Sequence, residues 1–530
     1  MKKLLVLLCL VLASVMPSQG LKAQHWVVEL DNSRYKSFCQ NIAVDSGSAM
    51  LSVGSSRLYP EGYTDAMGHL LKVDGDGTTH SREIRLEGEQ LFLFTVTELD
   101  NGNYMVFGVY DDSLKKPNQD NYRYMKVMVL DKTLETVLEK DYQVDVDGSV
   151  GFRAIAHHTM RCVRAEDGNV ILATCPCYYI PAQTGGHYLR RFRFYEFSPD
   201  GDTVHSTLQP EYVDDMPQAG SNIENIFPNP ATGGFTFVAK GNHAYTPNYI
   251  MEGCYGVWNI DRNLTITSHR PVAFSDYPYY FGPDHMAVEG RWYDNGRFLT
   301  VIDKMKSMGE NELSGWLYMM DGQAEMGPYT QLPPTDSVTL SSASGCCTAH
   351  VDDSSIFVTS YSTREYISFD DWQGNITLVD KDLNILGRKV LKEEGLDYVP
   401  QAPVALSGGK VIIPVRKDGP QNVMHYSIYC LTRDDIEITW DVVRERPSVL
   451  RAEAYPNPAT EKLNIPVWDI IPGKMRLVIA DMKGAAYVDA PVEVSGNLIS
   501  VDVRNLAPGV YVYQVVNNDK VESSGKFVKE

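Results

Sequence analysis

The 530-residue chain has no excess of basic charge, no long apolar run after its first few residues, no helical stripe and none of the compact catalytic motifs. Each absence excludes something. Lys and Arg number 48 against 68 Asp and Glu, for a formal net charge of −20. Phosphate binding needs clustered cations, so no nucleic-acid partner is expected, and an anionic membrane surface is equally unsuited. No later stretch approaches the ~18 apolar residues of a membrane-spanning helix, so the mature chain is expected not to be transmembrane. Apolar residues do not recur at helical spacing over a useful length, which points to an all-β chain. There is no Gly-x-Ser-x-Gly elbow, His-Glu-x-x-His pair or phosphate-binding glycine loop.

What is present begins at the N-terminus. Lys2 and Lys3 precede the apolar run Leu4 to Val15, and small residues follow, with cleavage expected after Gly20 or Ala23. Residues 1–23 therefore read as a signal peptide for export. Cys9 leaves with it, so eight of the nine cysteines remain. Eight allow about 105 full disulfide pairings, and spacing does not choose among them. Cys175-Pro176-Cys177 and Cys346-Cys347 lack partners at zinc-site spacing, so the cysteines read as structural. His157 and His158 are adjacent and, on a strand, point to opposite faces.

Residues 25–448 carry a repeat. A first hairpin recurs as IAVDSGSAMLSVG from Ile42, VTELDNGNYMVFGV from Val96 and CVRAEDGNVILAT from Cys162, with later copies near Asn225, Gly290, Ala349 and Val404. A second hairpin follows each, with its turn acid at Asp74, Asp131, Asp200, Asp261, Asp321, Asp380 and Asp434, at intervals of 54 to 69 residues. Asp-Gly and Asn-Gly are turn chemistry, and the flanking runs are β-branched and aromatic. Two hairpins make a four-stranded sheet that cannot bury both faces alone. Packing such sheets radially does bury them. The expected fold is all-β: a seven-bladed β-propeller followed by a small immunoglobulin-like β-sandwich. A large sandwich or two smaller β domains is the structural alternative. The architecture resembles propeller proteins without pointing to one propeller family.

The segment 451–530 has a different texture, with 9 basic and 10 acidic residues. Short strands alternate with sharp turns, which suggests a small sandwich. Its motifs are Tyr455-Pro456-Asn457-Pro458, Leu463 and Ile465, the Asp481 to Gly484 turn, Leu506 with Pro508-Gly509-Val510-Tyr511, and the terminal Lys526-Phe527-Val528-Lys529. In order, spacing and position this resembles the type A C-terminal sorting domain of type IX (Por) secretion cargo. The resemblance implies that the outer-membrane translocon reads the domain, which is then usually removed, with the protein released or anchored at the cell surface. A near copy, Phe227-Pro228-Asn229-Pro230-Ala231-Thr232, falls on the turn of the fourth repeat and reads as a two-proline hairpin loop.

No chemistry stands out in the repeat body. Asp74-Gly75-Asp76-Gly77 and Asp200-Gly201-Asp202 resemble fragments of calcium loops but lack the distal Glu, so no cofactor is expected, with calcium the one candidate. The segment Cys175 to His187, holding Tyr178, Tyr179, His187 and, next to it, Tyr188, is a candidate binding loop. Tyr277 to Phe281 (YPYYF) and Trp292 are further aromatic candidates. The first expectation is a non-catalytic binding or scaffold protein for a glycan or protein ligand. The alternative is a carbohydrate-active hydrolase or lyase with carboxylates in the propeller channel, or a peptidase accessory module.

Overall fold

The computed structural model describes residues 26–530 apart from 31–34, 112–120, 145–148, 154–159, 181–186, 273–285, 306–312, 333–338, 342–347, 364–371, 439–453, 467–474, 493–497 and shorter stretches of one to three residues. The signal segment, His157-His158, Tyr277 to Phe281, Cys346-Cys347 and Gly484 thus lie outside the described residues. The chain divides into two compact units, Met1–Val442 and Val443–Glu530.

The first unit is built from antiparallel sheets formed in sequence order. Blade one is Tyr35–Val44, Ser48–Ser56, Met67–Asp74 and Thr79–Ile84. Blade two is Gln90–Glu98, Tyr104–Asp111, Tyr124–Leu130 and Thr136–Gln143. Blade three is Met160–Arg164, Val170–Thr174, Arg193–Phe197 and Thr203–Leu208, and blade four is Gly220–Asn229, Gly234–Thr246, Tyr249–Ile260 and Ile266–Pro271. Blade five is Met286–Val288, Arg297–Met305, Leu313–Asp321 and Met326–Gln331. Blade six runs from Thr348–Asp352 through Ser355–Thr363 and Gln373–Val379 to Ile385–Leu391. In blade seven, Asp397–Pro400 and Val404–Ala405 precede Val411–Gly419 and Val423–Leu431, and the outer strand is Trp26–Glu29 from the other end of the chain.

The apolar clusters show how the sheets meet. Leu91 and Val106 of blade two pack on Val44 and Leu70 of blade one. Phe107 of blade two meets Leu172 and Phe197 of blade three, and Phe194 of blade three meets Phe237 and Trp258 of blade four. Val257 of blade four meets Phe298 of blade five, and Val301 of blade five meets Val358 of blade six. Phe357 of blade six meets Ile413 of blade seven, and Ile428 of blade seven returns to Leu51 and Leu71 of blade one. Among the described residues, these seven sheets and the seven clusters between them follow one another back to the first, as in a β-propeller, because each sheet buries its two faces on its two neighbours. The first strands of successive sheets run beside one another at the centre, and the fourth strands are the most exposed.

The repeated turns hold the blades together. In blade two, Asp131 Oδ1 accepts the N–H groups of Thr133 at 2.8 Å and Glu135 at 2.9 Å. Leu134 then takes a positive φ of 67° and buries its side chain against blade one. Leu264 and Leu383 repeat this in blades four and six at φ 61° and 60°. The turn acids Asp200 and Asp434 lie within their turns, though at two blades another side chain accepts the turn N–H groups. In blade three the turn runs from Ser198 to Asp202 around Asp200, and Ser198 Oγ accepts the Asp202 N–H at 3.2 Å. In blade seven, Asp435 rather than Asp434 accepts from Thr432, at 2.8 Å to its N–H. Hydrogen bonding, not acid spacing, defines these positions.

The second unit is a two-sheet sandwich. Lys462–Pro466 pairs with Leu498–Asp502, and the other sheet runs Ala486–Pro491, Met475–Asp481, Gly509–Asn517, Lys520–Lys529. Leu463 and Ile465 of the first sheet are buried against Ile479, Tyr513 and Phe527 of the second, as strand alternation requires.

Candidate functional site

The motifs of the C-terminal unit are far apart in sequence and adjacent in the fold. In the last hairpin, Gly509 lies opposite Lys529, Val510 opposite Val528, Tyr511 opposite Phe527 and Val512 opposite Lys526. The Tyr455-Pro456-Asn457-Pro458 segment joins the other edge of the same terminal strand. Asn457 Oδ1 accepts the Val528 N–H at 2.8 Å, the Ala459 N–H donates to Val528 O at 2.8 Å, and the Glu530 N–H donates to Ala459 O at 3.0 Å. Three motif segments thus form one strip, with the terminal strand in the middle. The Asn457 side-chain oxygen supplies an acceptor for the Val528 N–H that would otherwise face solvent on the strand edge.

The strip has an inner and an outer face. Inward, the Tyr511 and Phe527 rings stack with centroids 5.6 Å apart, and the Tyr511 hydroxyl donates to Ala507 O at 2.9 Å. That bond ties Tyr511 to the turn bearing Pro508 and Gly509. A Cβ on Gly525 would stand 2.5 Å from the Tyr513 hydroxyl oxygen, so a glycine is needed there. Outward, Tyr455, Val510 and Val528 are 49%, 46% and 38% exposed, and Pro456, Asn457, Pro458, Pro508, Gly509 and Lys526 are exposed with them. Tyr455, Val510 and Val528 thus present apolar surface on the outer face of the strip, beside a fully formed core. The resemblance includes Val510, Tyr511, Phe527 and Val528 alike; the pairing shows that Tyr511 and Phe527 face inward and Val510 and Val528 outward. In the adjacent turn, hydrogen bonds from Arg504 hold the Asp502 carboxyl down at about 2.

The propeller candidates separate. Because strands alternate in direction, the first-to-second and third-to-fourth turns of every blade lie at one end of the ring, and the other connections lie at the opposite end. Trp292 belongs to the turn end. Its indole N–H donates to Pro228 O at 2.6 Å, and its ring packs edge-on against Phe227 and Phe298. It is a seam residue between blades four and five, which corrects its reading as an offered ligand contact. Asn229, in the internal motif copy, is buried and bonded to Thr236 and Asn259, unlike its exposed counterpart Asn457. The Cys175 to His187 segment is a hairpin rather than a loop. Cys177–Ile180 pairs with His187–Arg190, and this hairpin joins Ser149–Arg153 and Asn121–Tyr122 in a small accessory sheet.

Charged groups on the innermost strands are engaged. Arg161 is buried, with Nε donating to Glu224 O at 3.0 Å, and the Tyr255 hydroxyl reaches Glu224 Oε1 at 3.5 Å. Glu289 Oε1 accepts from Arg291 Nε at 2.7 Å and from the His350 N–H at 3.2 Å. Among the described residues, no group of three or more His, Cys, Asp or Glu could hold a metal ion. Asp76 Oδ1 is used by the Thr78 N–H at 2.9 Å, and Asp74 by Ser48 at 2.7 Å. Also among the described residues, no helix is long and apolar enough to cross a membrane.

No curated protein matches the chain. Among solved structures, it is similar to a protein of unknown function from Dyadobacter fermentans DSM 18053 at 12% identity, covering 78% of this chain and 98% of that one, with a TM-score of 0.43. It is similar to Drosophila Semaphorin 2a at 8% identity, covering 96% and 98%, with a TM-score of 0.45. It is also similar to the phage phi92 endosialidase at 10% identity, covering 96% and 79%, with a TM-score of 0.42. Residues 453–530 match the family described as the secretion system C-terminal sorting domain. Residues 453–530 therefore carry a secretion system C-terminal sorting domain, which follows a β-propeller body.

Proposed function

We propose that the chain is a surface or released binding protein, exported when the outer-membrane translocon engages the strip formed by Tyr455 to Pro458, Pro508 to Tyr511 and Lys526 to Val528. One observation carries this reading: three motif segments separated by tens of residues meet on one terminal strand and leave Tyr455, Val510 and Val528 in solvent. The propeller then acts as a non-catalytic module for a glycan or protein ligand. Among the described residues, Glu224 Oε1 is met by the Tyr255 hydroxyl and Glu289 Oε1 by Arg291 and the His350 N–H, contacts that favour structural over hydrolytic roles for these carboxyls, since glycoside hydrolysis needs two carboxylates converging on the substrate. Deleting Ala454 to Glu530 should trap the protein in the periplasm; normal surface appearance of the truncated protein would refute the export reading. A glycan array with the purified protein, followed by product analysis, tests the body. Turnover of a bound glycan would overturn the non-catalytic assignment.

A further inference from the structure

Four buried side-chain oxygens share one seam of the ring. Glu289 Oε2, Ser360 Oγ, Gln373 Oε1 and Thr377 Oγ1 are shielded from solvent and take no hydrogen bond from the protein among the described residues. Ser360 and Thr377 are each 1% exposed. Ser360 lies two residues beyond Val358, which is opposite Thr377, so both hydroxyls share the face of blade six that packs on blade five. Gln373 lies four residues before Thr377 on the same strand and therefore on that face. Glu289 enters from blade five, where its other oxygen accepts the His350 N–H of blade six.

A buried oxygen without a partner costs about tenfold in the folding equilibrium. Four would cost about 10⁴, out of the roughly 10³–10⁸ that separates folded from unfolded domains. A loss of that size would take up much of the margin, which argues that something other than protein meets these atoms. Spacing says what. Alternate residues of a strand stand about 6.7 Å apart, so positions 373 and 377 span about 13 Å. A single cation would need its oxygens together at about 2.3–2.6 Å. Waters spaced about 2.8 Å can bridge such a row, donating to the carboxylate and amide oxygens and trading protons with the hydroxyls. We infer that the seam between blades five and six holds a file of ordered internal waters bound by Ser360, Gln373, Thr377 and Glu289.

A high-resolution crystal structure of the full chain, with denaturant unfolding of Thr377→Val and Ser360→Ala, tests this. Expected are ordered water peaks within hydrogen-bond reach of Ser360 Oγ and Thr377 Oγ1, and a roughly tenfold fall in the folding equilibrium for Thr377→Val, since the methyl strands a water. A dry seam overturns the inference, as does a single peak ligated at metal distances by several of these oxygens. Thr377→Val more stable than the wild type would also overturn it, because only an unpartnered hydroxyl gains from removal. Should Thr377→Val fail to fold, the wild-type density and Ser360→Ala decide the question alone.

Discussion

Leu134 provides a quantitative test of how the blades are joined. It sits at the fourth position of the Asp131 to Glu135 turn, with its N–H on Asp131 O at 2.9 Å and φ at 67°. Its side chain is 2% exposed and packs among Val44, Met50 and Leu70 of the neighbouring blade. Arg82 of that blade reaches back to the Leu134 carbonyl oxygen and to Thr136 Oγ1. Two opposed effects meet at this residue. Truncating a buried leucine costs about 2–5 kcal/mol. A left-handed backbone costs a non-glycine residue about 1–2 kcal/mol, a burden that alanine shares and glycine does not. Glycine in turn loses about 0.5–1 kcal/mol to extra freedom in the unfolded chain. Leu134→Ala should therefore destabilise by about 3 kcal/mol, and Leu134→Gly by about 0.5 kcal/mol less, despite removing more side chain. Urea unfolding followed by tryptophan fluorescence, with unchanged transition slopes, measures both. If Leu134→Ala costs under about 1 kcal/mol, or if glycine proves clearly worse than alanine, the side chain is not an inter-blade staple and the reasoning fails.

Further outcomes follow from the same contacts. Trp26 donates to Gly75 O at 3.2 Å and lies against Gly77, while Glu29 pairs with Lys417 at 2.8 Å across the strand that closes blade seven. Trp26→Ala should lower stability by about 2 kcal/mol and speed hydrogen exchange in Val423–Leu431; unchanged exchange there would argue against closure by this strand. Asn457→Ala removes the 2.8 Å bond to the Val528 N–H on an exposed edge. It should cost at most about 1 kcal/mol yet reduce surface display, and normal display in a whole-cell assay would remove Asn457 from the recognised strip. Burial alone would raise the Asp45 carboxyl, but hydrogen bonds from Lys72 and Tyr104 outweigh it and leave it below its ordinary 3.8. A lowered folded pKa stabilises above the unfolded value and is lost as pH falls through the folded one. Acid unfolding below about pH 4 should therefore be shallower in Asp45→Asn than in the wild type, and identical acid limbs would contradict this. Burial pushes the Cys162 thiol up to about 12 and Cys430 to about 11, so both should resist maleimide at neutral pH until the chain unfolds.

Much of the fold was legible because its signals are local. An Asp two and four residues before the N–H groups it accepts, a left-handed position after it and β-branched flanks fit in about ten residues. The alternation at Leu463 and Ile465 and the order of the terminal motifs were equally readable. What the sequence did not show is which side chain closes each turn. Ser198 accepts in blade three and Asp435 in blade seven, because a hydroxyl or a neighbouring carboxylate can accept the N–H groups that Asp131 accepts in blade two. Trp292 looked like an offered aromatic until Pro228 and Phe298 were found beside it.

The sequence by itself determined strand and turn chemistry, the repeat, and the presence and order of the sorting motifs, since each depends on neighbours within a hairpin. Only the tertiary structure decided ring closure, the pairing of blade five with blade six around buried hydroxyls, and the meeting of Asn457 with Val528, 71 residues away. Those depend on which distant edges can satisfy each other's N–H and C=O groups while burying both faces of every sheet. That condition applies to the whole ring or sandwich at once, and no short stretch of chain contains it.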